Sequence, residues 1–498
     1  MSVPTQLSPD TEISAQLLAA RDHVAMHCAR LRDVRLADHF ANDAQRFEHF
    51  SLQAADLVLD YSKNRLDDGA IASLLKLADA ALIASAIADS FAGKGDHPMT
   101  GYVALRLADG EAFHWHDVDY GERILLERKR CGQFAEAVRS GRWLGESGRR
   151  ITDVVNIGVG GSDLGPRMVT AALREFAHTE LRTHFVSSVD SHDLFEKLAA
   201  LKVESTLFVI ASKSFRTQAT LANARAALAW FTERGGKNMA KHFVAVTANA
   251  DAAFAFGIAA PNLFPVWDWV SGRFSFWCAN GLTAMISIGA KRFDELLAGA
   301  RVMDKHFRSQ PLAQNMPVLL ALIDTWYEQG LRTANRQTVA THYSLRCLPD
   351  FIDRLEDAEF ESRGVATGSQ TLVDFIITAI ADHQAQEQQL HLLAHSLGQS
   401  RALMLEHNSP SNTIVMTQLK PASLGALIAL FEHKAFVSRI LMRGASKANA
   451  VLKASTDLTL ETGPLLAGEL VTADTNSSID SSTIGLVNTI LQMQKPLF

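Results

Sequence analysis

The chain has 498 residues and a formal net charge of −6, with 47% hydrophobic and 20% charged residues. This length is sufficient for more than one domain with a sizeable core, and the composition excludes a disordered scaffold. The 48 basic and 54 acidic residues form no basic stripe, so the charge pattern excludes nucleic acid as a partner, whereas a small anionic ligand needs only a local site.

The first hundred residues, 1–100, are predicted to form a helical N-terminal arm. The chain starts without a basic segment followed by an apolar one, so we expect no secretory signal. From about residue 10 to residue 92, apolar residues recur every three or four positions and β-branched runs are few. This spacing places apolar side chains on one face of a helix, and it predicts helices throughout the arm.

The next segment, residues 101–285, is predicted to be an α/β domain. Short β-rich runs alternate there with longer helical runs, which is typical of βαβ units around a mostly parallel sheet. The predicted strands are Thr152–Val159, Arg182–Val189, Thr206–Ala211 and His242–Thr247. Helices are predicted between them at Pro166–Phe176, His192–Leu201 and Gln218–Thr232.

The remaining segment, residues 286–498, is predicted to contain a second α/β domain with a C-terminal tail. It begins with a helical stretch, and its candidate strands lie near Thr338–Thr341, Thr371–Ala379 and Asn412–Gln418. The longest apolar stretch, Leu424–Met442, is interrupted by polar and charged residues, which excludes an ordinary transmembrane helix and a membrane partner. These residues are Glu432, His433, Lys434 and Arg439.

The cysteines and histidines show no pattern of cross-linking or metal binding. The four cysteines are scattered without CxxC pairing, so we expect free thiols in a reducing cytoplasm. The eighteen histidines show no HExxH or other ligand spacing, so we expect no metal.

A glycine-rich loop follows the first predicted strand. The segment Asn156–Pro166 reads NIGVGGSDLGP and lies where an apolar strand ends and a helix begins. Its glycines let the backbone approach a ligand closely, and the following helix directs free N–H groups and its positive end at an anion. The spacing matches neither the dinucleotide-binding nor the P-loop motif. The alternative is a tight strand-to-helix turn without a ligand.

A second loop, Ala211–Gln218, has the same position relative to a strand and a helix. It reads ASKSFRTQ, and its hydroxyls together with Lys213 form the donor set that a phosphate requires. The alternative is a plain helix N-cap by Ser214 or Thr217. Two such loops in one sheet favour an anion site over two idle caps.

The third notable segment is Val266–Trp277, which reads VWDWVSGRFSFW. Its tryptophans are expected to lie in the core. Arg273, set in this apolar run, must find an anionic partner because burying an unpaired charge is costly. That partner is either a ligand or a structural salt bridge. The acidic cluster at 356–361, taken by its spacing alone, is typical of a solvated helix face.

Taken in order, these three motifs closely resemble the glucose-6-phosphate isomerase family, which is built from two sugar-isomerase (SIS) domains. The likeness extends to DYSKNRL at 60–66, MDKHF near 303 and LGALIALFEHKAFV at 424–437. The resemblance implies an α/β fold of two three-layer αβα domains with mostly parallel sheets, a helical N-terminal arm and a C-terminal tail. It also implies a homodimer.

The family interconverts glucose 6-phosphate and fructose 6-phosphate through a cis-enediolate, without metal or nucleotide cofactor. By this resemblance, Arg273 stabilises the enediolate, and Glu361, in FESRG where the family has MESNG, is the base. Lys453 corresponds to the ring-opening lysine if a small gap is allowed, with a surface lysine as the alternative. The residues implied for phosphate and substrate binding are Gly161, Ser162, Ser212, Lys213, Ser214, Thr217 and Gly272.

The sequence also departs from the family beside Glu361. A few dozen residues that contain the family's ring-opening histidine have no counterpart here, and Asp357 occupies the place of a substrate-contacting glutamine. His383, His391 and His395 follow soon after, and we interpret them as helix-surface residues. The alternative function is therefore a catalytically impaired phosphosugar-binding protein, acting as a sensor or structural partner. A weaker alternative is an isomerase whose phosphosugar substrate cannot cyclise in the same way.

Overall fold

The structure is a computed structural model that describes residues 9–94, 101–331, 336–360, 369–375 and 383–442. The chain divides into two units. The first unit comprises residues 1–356 and 365–441, and both sheets described below belong to it. The second unit comprises residues 357–364 and 442–498, of which the structure describes the helical residues 357–360 and residue 442.

The N-terminal arm is helical except for one β-hairpin. Its elements are α1 Pro9–Leu31, α2 Leu36–Asn42, α3 Arg46–His49, β1 Ser51–Ala54, β2 Leu57–Asp60, α4 Asp68–Ala80 and α5 Ile83–Phe91. The prediction of helix throughout is wrong at 51–60. Ala55 and Asp56 both have positive φ, 51° and 64°, which is the geometry of a two-residue hairpin turn. Leu57 and Leu59 are buried on alternate positions, which is a period of two.

The first α/β region contains a five-stranded parallel sheet. Its elements are β3 His114–Trp115, β4 Val118–Asp119, α6 Gly121–Arg139, β5 Asp153–Ile157, α7 Gly161–Ala172, β6 Arg182–Val186, α8 Ser191–Ala199, β7 Thr206–Ala211, α9 Gln218–Glu233, β8 Phe243–Thr247, α10 Ala250–Phe256, β9 Leu263–Pro265 and α11 Leu282–Ile288. The strand order is β6-β5-β7-β8-β9, and β3 with β4 forms a separate small ribbon. The four strands predicted here are confirmed, and β9 adds an edge strand.

Both faces of this sheet are covered by helices. Val154 and Val209 join one buried cluster with residues of α6, α7 and α11. Val155 and Phe208, which are adjacent to them on the same strands, join a second cluster with residues of α8, α9 and α10. A sheet buried on both faces requires apolar residues at successive positions, which explains the uninterrupted apolar runs in the sequence. The result is a three-layer αβα arrangement.

A second sheet combines the N-terminal hairpin with three later strands. The later elements are α12 Ala290–Ser309, α13 Met316–Thr325, β10 Arg336–Ala340, α14 Leu348–Phe360, β11 Ser369–Phe375, α15 His383–His407, β12 Ser411–Met416 and α16 Pro421–Leu441. The order is β1-β2-β12-β11-β10, in which the last three strands are parallel and β2 runs antiparallel to β12.

Helices α12 and α16 pack with their backbones in close approach. A Cβ added to Gly299 would lie 1.8 Å from the carbonyl oxygen of Ala422, and one added to Gly425 would lie 1.9 Å from that of Leu296. Only glycine permits such spacing, and it brings polar side chains on the two helices within hydrogen-bonding distance. Within the described ranges, no single helix is long and apolar enough to cross a membrane, although the bent pair α4 and α5 could by length and composition alone.

Candidate active site

The two loops singled out in the sequence meet at one edge of the first sheet. Strands β5 and β7 are parallel neighbours, so both loops leave the sheet at the same carboxyl edge. Between them lies a cavity of about 340 Å³. Its lining includes Gly161 and Ser162 from the first loop, Ser212, Lys213, Ser214 and Thr217 from the second, and Gly272.

The first loop is shaped by glycine geometry. Gly160 has φ +58° and ψ −122° and precedes α7, which begins at Gly161. A Cβ on Gly158 would lie 2.9 Å from the carbonyl oxygen of Ala211 at the end of β7. The side chain of Asn156 donates to the carbonyl of Ser162 at 3.0 Å and fixes the first turn of the helix. The positive end of α7 is therefore held at the cavity.

The second loop turns sharply at Phe215, which is buried and has φ 50°. Ser212 Oγ donates to Thr217 Oγ1 at 3.3 Å across the loop. Thr217 occupies the N-cap position of α9, yet its side chain makes no capping hydrogen bond. Thr217 is therefore not a plain helix cap, which was the alternative interpretation, and the Thr217 side chain lines the cavity instead.

Lys213 is held by main-chain oxygens. Its Nζ donates to the carbonyls of Asp268 at 2.7 Å and Val270 at 2.8 Å. Partial burial lowers the pKa of this lysine, and nearby Asp268 opposes that shift. Lys213 therefore adds positive charge to the cavity wall and also ties the second loop to the segment that leads into Gly272.

The segment Gly272–Trp277 is a six-residue 3-10 helix, here called the 272–277 turn. A Cβ on Gly161 would lie 2.2 Å from the carbonyl oxygen of Gly272, so the two backbones are in contact. Arg273 lines an adjoining cavity of about 400 Å³, which shares Val159 and Gly161 with the first. Its guanidinium donates to the main-chain carbonyl of Arg354 on α14.

The structure thus brings seven predicted binding residues to one cavity and Arg273 to its neighbour. Glu361 and Lys453 lie outside the described residues. His391 and His395 are exposed on α15, as expected for helix-surface histidines. Among the residues that the structure covers, no group of three side chains could hold a metal ion. A larger cavity of about 1350 Å³ lies along α6 and shares no lining residue with these two.

Two further residues at the site were not recognised in the sequence. Thr220 lines the 340 Å³ cavity between the two loops, and its hydroxyl is buried without a partner in the described chain. It follows Thr217 by three positions, one helical turn, and this spacing is the signal that could have identified it. Asp163 lines the 400 Å³ cavity beside Arg273, and Arg167 donates to both of its oxygens, at 2.9 and 3.0 Å. Burial is the largest influence on this carboxyl and raises its pKa.

Comparisons with known proteins identify the family of this chain. The family model "Phosphoglucose isomerase" matches residues 60–381 and 401–487. "Glucose-6-phosphate isomerase 1" from Chromohalobacter salexigens is 37% identical over 512 residues and covers 92% of each chain. The protein of the same name from Cupriavidus pinatubonensis is 38% identical over 489 residues, covering 85% of this chain and 90% of its own.

A solved structure has the same fold. The crystal structure of a glucose-6-phosphate isomerase from Chlamydia trachomatis has a TM-score of 0.76 and 21% identity, and the match covers 96% of this chain and 98% of that one. The predicted fold class of SIS-type α/β domains is confirmed. The Chromohalobacter alignment spans 512 positions but uses 92% of these 498 residues, so several dozen positions have no counterpart here.

Proposed function

Because this chain belongs to the phosphoglucose isomerase family, as its motifs predicted, we propose that it interconverts glucose 6-phosphate and fructose 6-phosphate. The observation that carries this proposal is the convergence of the two strand-to-helix loops on one cavity, with Arg273 in the adjoining cavity. The reaction moves a proton between C2 and C1 through a cis-enediolate. Since no electron leaves the substrate, it needs no redox partner.

The phosphate group binds in the 340 Å³ cavity. Hydroxyl groups of Ser162, Ser212, Ser214 and Thr217 donate to its oxygens, and the N-terminal end of α7 faces its charge. Gly161 and Gly272 line the same cavity and have no side chains, so the phosphate contacts their main-chain atoms directly. Lys213 neutralises part of the phosphate charge.

The sugar end reacts beside Arg273. Glu361 removes the proton from C2 and returns it to C1, and the guanidinium of Arg273 stabilises the negative charge of the enediolate. Lys453 assists ring opening. The assignments of Glu361 and Lys453 rest on their sequence motifs.

The protein acts in the cytoplasm as a homodimer whose small-molecule partner is a phosphosugar. The four free cysteines support a reducing compartment. Its two SIS domains comprise residues 101–285 and 286–498. Light scattering on the purified protein tests the dimer, since a monomer at assay concentration contradicts it.

A coupled assay of fructose 6-phosphate to glucose 6-phosphate tests the activity. Glu361→Gln removes the base but keeps the side-chain volume, so turnover should fall at least about a hundred-fold. The matched control Glu359→Gln lies in the same acidic cluster and should leave the rate within about three-fold of wild type. Wild type that binds the sugar phosphate by calorimetry but does not turn it over contradicts the proposal and favours a sensor.

A second experiment tests the phosphate loops separately. Ser212→Ala with Thr217→Ala removes two hydroxyl donors, and binding of fructose 6-phosphate should weaken at least about ten-fold. Thr232→Ala is the control, because its hydroxyl bonds the carbonyl of Leu228 at the far end of the same helix. Unchanged binding in the double variant means that the phosphate is held elsewhere.

A further inference from the structure

A fully buried carboxylate, Glu432 on α16, contacts the 272–277 turn from inside the core. Its two oxygens accept the indole N–H of Trp277 at 2.8 and 3.0 Å. One oxygen also accepts from the guanidinium of Arg106, which is itself fully buried. Arg106 in turn binds both oxygens of Asp304 on α12, at 2.9 and 2.6 Å. Together with Glu432, these partners come from four separate elements of the chain.

The charges of this cluster are nearly balanced. His433 Nε2 lies 2.8 Å from Asp304 Oδ1, and its Nδ1 contacts the hydroxyl of Tyr102. Burial lowers the pKa of His433 to about 4 and raises that of Glu432 to about 7. Arg106 is therefore the cation between two carboxylates, and the geometry of Glu432 is fixed by donors on both sides.

Trp277 is the last residue of the turn that begins at Gly272 and Arg273. The start of this turn touches the backbone at Gly161, and its Phe276 lies 3.0 Å from where a Cβ on Gly165 would be. A short turn that is pressed against α7 at one end and hydrogen-bonded at the other has one orientation. We therefore expect a change at Trp277 to alter the direction in which Arg273 points.

We propose that Glu432 is a positioning residue for Arg273, acting through the indole N–H of Trp277. The inference rests on the proposed function, in which Arg273 stabilises the enediolate. It predicts that loss of the hydrogen bond between Trp277 and Glu432 weakens the binding of ligands that carry negative charge at the C1 and C2 positions. Binding of the phosphate group should change less, because its hydroxyl donors lie on the two strand-to-helix loops and not on this turn.

Two acyclic ligands separate these effects. The carboxylate of 5-phosphoarabinonate has the charge and planarity of the enediolate, whereas sorbitol 6-phosphate carries the phosphate without that charge. In Trp277→Phe, calorimetry should show roughly ten-fold weaker binding of the first and binding within about two-fold for the second. The kcat for fructose 6-phosphate should fall by a similar factor, with KM nearly unchanged.

The matched control is Trp326→Phe. Trp326 is as deeply buried as Trp277, and its indole nitrogen has no hydrogen-bond partner in the part of the chain that the structure describes. Trp326→Phe should lower the stability of the protein without changing the ratio of the affinities for 5-phosphoarabinonate and sorbitol 6-phosphate. Glu432→Gln, which leaves one amide oxygen for two donors, should weaken arabinonate binding in the same direction and provides the test if Trp277→Phe does not fold.

The key quantity is the ratio of the affinities for 5-phosphoarabinonate and sorbitol 6-phosphate. If Trp277→Phe and Glu432→Gln keep the wild-type ratio, the positioning role is overturned, whereas the proposed isomerase activity still stands. The same loss in Trp326→Phe overturns it too, because the effect would then follow from core damage. Wild type that neither binds these ligands nor turns over fructose 6-phosphate overturns both the inference and the proposed function.

Discussion

Replacing Gly161 with alanine tests how closely the phosphate loop and the 272–277 turn must approach. The added Cβ would lie 2.2 Å from the carbonyl oxygen and 2.5 Å from the carbonyl carbon of Gly272, and 2.9 Å from the amide nitrogen of Arg273. Non-bonded heavy atoms lie about 3.5 Å apart, so the two backbones must separate by roughly 1 Å. All three atoms are main chain and cannot rotate away.

A displacement of this size at a reacting centre costs about a hundred-fold in rate. We therefore expect kcat/KM of Gly161→Ala for fructose 6-phosphate to fall by that factor in the coupled assay. Gly165→Ala meets side-chain atoms of Phe276 at 3.0 to 3.2 Å, which requires a shift of only a few tenths of an ångström, so its loss should be smaller. Gly398→Ala on α15 meets nothing within 4 Å and should keep full activity. Folded Gly161→Ala with kcat/KM within three-fold of wild type would refute the reasoning.

The buried cluster makes two further predictions about stability. Arg106→Met leaves Glu432 and Asp304 buried without a cation, so the free energy of unfolding measured with urea should fall by about 3–5 kcal/mol. Arg292→Met, in an exposed ion pair, should lower it by less than about 1 kcal/mol. Equal losses in the two variants would contradict this prediction. Burial raises the pKa of Glu432 from 4.5 to about 7, so its stabilising effect is full below pH 4.5 and lost as pH rises through 7. Burial lowers the pKa of His433 from 6.5 to about 4, so its effect is present above pH 6.5 and lost as pH falls through 4. The two trends oppose each other, so removing the Glu432 carboxyl leaves the His433 trend. In Glu432→Gln, the urea midpoint should therefore rise more steeply between pH 5 and 7 than in wild type. Parallel curves of urea midpoint against pH for the two proteins would show that Glu432 does not titrate in this range.

The first sheet was predictable because its signal is local. A strand buried on both faces needs successive apolar residues, and runs such as Thr206–Ala211 contain them. The hairpin at 51–60 was missed because four-residue strands between helices give little periodicity, and because its partner β12 lies more than 350 residues away. Pairing at that distance leaves no trace in a sequence window.

The candidate site was likewise predictable where its signal is local and not where partners are distant in sequence. Glycines and hydroxyls of the two loops were found because a strand-to-helix turn concentrates them within a few positions. The charges in α16 were interpreted only as interruptions of an apolar run, yet Glu432 pairs with Arg106 and Lys434 with Asp324 at 2.6 Å. Each partner lies about a hundred residues or more away, so spacing alone could not show that these charges belong to the core.

The hairpin in the N-terminal arm also constrains how the protein is made. Asp60 of β2 lies opposite Thr413 of β12. A ribosome adds about 5–20 residues per second, so roughly 20–70 s pass between synthesis of the two strands. During that time the strands of the first sheet, complete at Pro265, have all been synthesised, while β2 presents an open edge. Nascent chains halted before residue 411 should therefore be the form most in need of chaperone protection.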